Sequence, residues 1–115
     1  MPSQTIFPMR NFLYRLPRFK TDLPMDFILG EAVIIGTCIN ISESGLRGPF
    51  SSPVPAGADG LLTLYHGETS FQVDAHVESF RSGEARVRFV LKSDQELEDL
   101  RAFLKLLTPV PLWRR

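Results

Sequence analysis

The sequence predicts an all-β domain: about six short antiparallel strands forming a small barrel or sandwich, with one α-helix near the C-terminal end packed on it. Three observations predict it. Apolar residues alternate with polar ones on both sides of Ser82-Gly83, with Phe71, Val73, Ala75 and Val77 before it and Ala85, Val87, Phe89 and Leu91 after it. Residues 32–42 (AVIIGTCINIS) form a run rich in β-branched side chains. Helical spacing appears in one place, where Leu97, Leu100, Phe103, Leu104 and Leu107 make a single stripe.

Each element arises from local chemistry. Residues 1–13 hold Pro2, Pro8 and scattered apolar side chains without a clean period, and read as an extended arm able to fold back on the body. Pro17 keeps Leu16 out of the helical region, so Arg15 to Arg18 is extended or turning. Met25, Phe27 and Leu29 alternate toward Gly30 as a first strand, and residues 32–42 form the longest central strand. Gly45 and Gly48-Pro49 end or bend the chain beyond that strand, and residues 51–60 (SSPVPAGADG) read as a loop. Leu61 to Tyr65 is a strand and His66-Gly67-Glu68 a turn. The two alternating runs then make a hairpin about Ser82-Gly83, in which Arg86 and Arg88 can face Asp74 or Glu78 across the strands. Ser93-x-x-Glu96 is a capping box with acids in the first helical turn, and Pro109 and Pro111 stop the helix. The resulting division is an arm over 1–13, a body over 14–107 and a tail over 108–115 that contains Trp113-Arg114-Arg115.

Composition bounds the function. The 115 residues suit one domain, and 13 Lys+Arg offset 13 Asp+Glu, so a broad basic face for DNA or anionic membrane is not expected. The longest nearly uncharged run, Ala32 to Ser42, is too short to span a bilayer, and the first residues carry no signal-peptide pattern. A single cysteine, Cys38, excludes an internal disulfide and fits a cytoplasmic location. Charge is nonetheless uneven. Residues 1–20 hold Arg10, Arg15, Arg18 and Lys20 and no acid, which suggests a local site for a small anion.

Enzyme signatures do not emerge. The chain has no phosphate-binding Walker loop, no dinucleotide glycine fingerprint and no His-Glu-x-x-His. His66 and His76 stand apart from any Cys or His at ligand spacing and read as solvent-facing strand or turn residues, so no metal site is expected. Cys38, between apolar neighbours, reads as a small hydrophobe rather than a nucleophile. The expectation is a binding protein, not an enzyme.

One constellation carries chemistry. Asn40-Ile41-Ser42-Glu43-Ser44-Gly45 closes the long strand. With Ile39 and Ile41 facing the core, strand parity sends Asn40 and Ser42 together to the outer face, an amide beside a hydroxyl. Gly45 supplies backbone freedom and lets a ligand come close. Arg18 lies 22 residues before Asn40, with Arg15 three before it, and arginine can both stack on a purine and fork to phosphate or a guanine edge. Together these groups suit an anionic guanine nucleotide.

On these residues the chain resembles the PilZ domain family over about residues 14–107. The family signature is Arg-x-x-x-Arg on an N-terminal loop, followed downstream by (Asp/Asn)-x-Ser-x-x-Gly at a strand end. The second motif is complete here in Asn40, Ser42 and Gly45, and Pro17-Arg18 and Leu23-Pro24 match further family positions. In the first motif Tyr14 stands where the family has its leading arginine, while Arg15 and Arg10 are the neighbouring basic residues and Tyr14 can itself stack on a base. The resemblance implies a six-stranded antiparallel β-barrel with a C-terminal helix. It further implies a bacterial, cytoplasmic receptor for cyclic di-GMP with no other cofactor, whose ligand contacts come from Arg10, Tyr14, Arg15, Arg18, Asn40, Ser42 and Gly45. Its protein partner would belong to motility, pilus or exopolysaccharide machinery. The alternative is a degenerate adaptor that keeps the fold and works by protein contacts without the nucleotide.

Overall fold

The computed structural model describes residues 18–107. Six strands, β1 (Phe19–Leu29), β2 (Ala32–Ile41), β3 (Gly45–Pro49), β4 (Asp59–His66), β5 (Thr69–Arg81) and β6 (Glu84–Val90), precede one helix, α1 (Asp94–Leu107). Every strand pair is antiparallel, and the order β1-β2-β3-β6-β5-β4 closes on itself when β4 pairs with β1. The expected six-stranded barrel with a C-terminal helix is what the chain forms.

The turns explain the hairpins. Ser82 and Gly83 both take positive φ, 54° and 82°, the mirror-image turn whose twist matches flanking strands. Along β5 and β6 the expected apolar residues point inward: Val73, Ala75 and Val77, with Ala85 and Val87, are all at most 3% exposed. On α1, Leu100, Phe103 and Leu104 are buried, and the Phe103 ring stacks on Phe71 of β5 at 5.7 Å. The capping box forms with a shift. Ser93 Oγ accepts from Glu96 N–H at 3.1 Å, while Glu96 Oε1 accepts from Lys92 N–H at 2.6 Å, one residue earlier than the usual reciprocal bond. His66 sits edge-on to Phe103, and His76 Nδ1 lies 2.8 Å from Asp59 Oδ1. Among the described residues no group of acids, histidines and cysteine is arranged to hold a metal, and no helix is long and apolar enough to cross a membrane.

Two sequence expectations change. The segment from Gly45 to Pro49 is a strand rather than a terminating bend, and it joins β2 to β6. The strand parity of β2 also breaks near its end. Cys38 and Ile41 are both fully buried although they are three residues apart, and Ile39 is only half-buried. The cause is a bulge in β1: three steps from Lys20 to Leu23 match two steps from Asn40 to Cys38. A second bulge in β5 inserts Glu78, because Val77 pairs with Val87 and Ser79 with Arg86. Bulges re-aim side chains, and these two flank the same end of the barrel.

Candidate functional site

The β1–β2 hairpin brings the two sequence motifs together. Its register sets Phe19 against Ile41 and Lys20 against Asn40, so Arg18, one residue before β1, reaches the end of β2. Arg18 Nη1 donates to Asn40 Oδ1 at 2.8 Å. The amide therefore holds the guanidinium in place before any ligand arrives.

Ser42 does not share the outer face with Asn40, contrary to the parity expectation. Only 2% of it is exposed, because the bulge beside Asn40 rotates the strand end and turns Ser42 into the following loop. Its Oγ accepts from Ser44 N–H at 3.2 Å and lies 3.0 Å from Ser44 Oγ, while its own N–H donates to Gly45 O at 2.9 Å. A serine side chain bonding the backbone two residues on is a local turn brace. The loop is tied at two further points. Phe89 N–H donates to Ser44 O at 2.9 Å, and Arg101 of α1 forks to Glu43 at 2.9 and 3.3 Å.

Gly45 also differs from expectation. Its φ is not positive, so backbone freedom is not its reason for being there. A Cβ at this position would overlap the carbonyl oxygen of Val87 and reach within 3.1 Å of the Arg88 Cα. Glycine is required so that β3 can lie close against β6.

These elements enclose a cleft of about 200 Å³ lined by Arg18, Ser42, Ser44, Gly45, Leu46, Arg47, Glu78, Arg86, Val87 and Arg88. Of the residues expected from sequence, Arg18, Ser42 and Gly45 line it, and Asn40 braces Arg18. Arg10, Tyr14 and Arg15 lie outside the described residues. Ser44, Arg47, Arg86 and Arg88 are additions that the motifs did not reveal. Arg88 does pair with Glu78, at 2.7 Å, in keeping with the cross-strand expectation, whereas Asp74 pairs with Lys92. Four arginines and one carboxylate make the cleft strongly cationic, and the two serines add hydroxyl groups. That lining suits a small anion presenting several acceptors.

Cys38 lies beneath this end of β2, fully buried, and burial pushes its thiol up to about 12. At neutral pH it is protonated and acts as core, as its neighbours in sequence indicated.

Known proteins sharpen this picture. The family model described as PilZ domain matches residues 14–106. No curated protein matches the sequence. Among solved structures, the PilZ domain of CeSA from a cellulose-synthesizing bacterium is 12% identical with a TM-score of 0.67, over 78% of this chain and 97% of that one. The Bacillus subtilis inhibitor of motility (MotI/DgrA) is 15% identical with a TM-score of 0.62, over 80% of this chain and 52% of that one. An uncharacterized Legionella protein is 20% identical with a TM-score of 0.57, over 79% of this chain and 92% of that one. At such identities the structural neighbours speak for the fold alone, but the family model spans most of the sequence and includes both motif regions. The chain belongs to the PilZ domain family.

Proposed function

We propose that the chain is a cyclic di-GMP receptor that binds the nucleotide between its N-terminal arginine arm and the Asn40-x-Ser42-x-x-Gly45 strand end, and signals by presenting the altered arm to a protein partner. The observation that carries this reading is the bond from Arg18 to Asn40 at the rim of a cationic cleft. The arm's last arginine is already aimed at the second motif, so a nucleotide entering there meets charge, a stacking plane and edge acceptors at once. Arg10, Tyr14 and Arg15 would complete the grip from the arm. The site holds its ligand without chemistry, as a receptor or adaptor rather than an enzyme. Partners in motility, pilus or exopolysaccharide machinery fit such a role.

Calorimetric titration with cyclic di-GMP tests it. The wild-type protein is expected to bind in the micromolar range or tighter, Arg18→Ala to abolish binding and Asn40→Ala to weaken it. Absence of heat at high micromolar nucleotide would refute the receptor reading. It would favour a degenerate adaptor, the second reading that Tyr14 motivates by standing at the position of the family's leading arginine.

A further inference from the structure

Three arginines of the cleft belong to neither motif: Arg47, Arg86 and Arg88. Arg47 on β3 and Arg86 on β6 are direct partners across the strands. Both point outward, because their neighbours Leu46 and Val87 are buried. Like charges directly opposite one another destabilise a strand pair. Arg47 is offset by Glu84 at 2.9 Å and Arg88 by Glu78 at 2.7 Å. The Arg86 side chain has no ion-pair or hydrogen-bond partner among the described residues. The same two arginines, Arg47 and Arg86, also line a second cleft of about 330 Å³, together with Ser79, Arg81, Glu84 and Ala85. They therefore form a cationic ridge shared by two adjoining clefts, with one guanidinium unpaired among the described residues.

We propose that Arg86, together with Arg47 beside it, forms a second phosphate-binding position, which supplies the cation that the first motif lacks at Tyr14. The proposal rests on the receptor reading above for the identity of the ligand. A cyclic dinucleotide carries two phosphodiesters. Arg18 takes one from the arm side, and the Arg47–Arg86 ridge takes the other from the barrel wall. Planar guanidinium groups fork to phosphate oxygens. An anion seated on the ridge also cancels the repulsion between the two arginines, so binding gains from a cost already present in the free barrel. Arg47 is half-buried and fixed by Glu84, whereas Arg86 is exposed and free to swing onto a ligand.

The test is calorimetric titration of cyclic di-GMP into the wild-type protein, Arg86→Ala and Arg86→Lys, with thermal unfolding of each in the absence of ligand. Arg86→Ala is expected to weaken binding roughly tenfold or more. Arg86→Lys should recover part of that, since charge returns without the fork. The ligand-free Arg86→Ala protein should melt no lower than wild type, which separates a lost contact from a damaged fold. If wild type binds and Arg86→Ala binds equally well, the second phosphate position is overturned while the receptor reading survives. If wild type does not bind the nucleotide, the receptor reading fails, and inorganic pyrophosphate becomes the probe. A rise in melting temperature with pyrophosphate for wild type but not for Arg86→Ala would then uphold an anion position at Arg86. An equal rise, or none in either, would overturn it.

Discussion

Replacing Gly45 with alanine asks whether the last residue of the second motif serves the ligand or the barrel. The added Cβ would overlap the Val87 carbonyl oxygen, and carbon–oxygen contacts in strands ordinarily begin at about 3.3 Å. Strand β3 would have to withdraw from β6 by about 1 Å at the first of their five paired positions. It has little other support, since it pairs with β2 only through Asn40–Arg47 and Ile41–Leu46. Losing one or two ladder hydrogen bonds at about 1 kcal/mol each, and loosening buried Leu46, totals about 2–4 kcal/mol. The reduced entropy of an unfolded chain with alanine returns at most about 1 kcal/mol. At about 4–8 °C per kcal/mol for a small domain, the melting temperature should fall by about 10–20 °C. Circular dichroism of the ligand-free protein measures this directly. A melting temperature within about 2 °C of wild type, with nucleotide binding lost, would refute the packing argument and return Gly45 to the ligand.

Two further outcomes are expected from the described contacts. Because burial raises the Cys38 thiol to about 12, the folded protein keeps a proton that the unfolded chain releases near 9. Stability from this group is whole below about pH 9 and declines above it by at most about 1.4 kcal/mol per pH unit. Urea midpoints between about pH 8 and 10.5 should therefore fall less steeply for Cys38→Val than for wild type; parallel curves would show that Cys38 titrates normally. Tyr65, raised by its bond to Asp26, and Lys92, raised by its bond to Asp74, act in the same direction in both proteins and so leave the difference intact. Separately, a double-mutant cycle on Glu43→Ala and Arg101→Ala should give a coupling of about 0.5–1 kcal/mol in urea unfolding, in keeping with a forked, partly shielded pair. Zero coupling would mean that the loop and the helix are not tied in solution.

The β5–β6 hairpin, the capped helix and the Asn40–Gly45 strand end were legible because each rests on local rules: alternation, mirror-image turn chemistry and capping. Strand β3 was not, because Gly45, Gly48 and Pro49 are the residues that ordinarily interrupt a strand. The purpose of the two glycines is visible only in three dimensions, where a Cβ on Gly45 would overlap the Val87 carbonyl oxygen and one on Gly48 the Thr37 carbonyl oxygen. Missing β3 also concealed half of the cleft. Without it nothing sets Arg47 opposite Arg86, and the site reduces to an arm and one strand end. The inward turn of Ser42 was hidden for a different reason. Parity reasoning assumes an unbroken period of two, and the bulge between Lys20 and Leu23 is a property of the pairing rather than of either strand's sequence.

Closure of the sheet limits how the protein can meet a partner. Every one of the six strands has a neighbour on both sides, so none lies wholly at an edge; the gaps are partial, where β1 meets β4 only from Met25 to Ile28 and β2 meets β3 only at Asn40 and Ile41. Recognition by strand addition is then confined to those partial gaps unless the barrel opens. Elsewhere a partner must read side chains: the outward faces of the strands, the loop ends beside the cleft, or the exposed side of the helix. Specificity toward a partner is then free to diverge residue by residue while the hydrogen-bonded ring beneath remains the same.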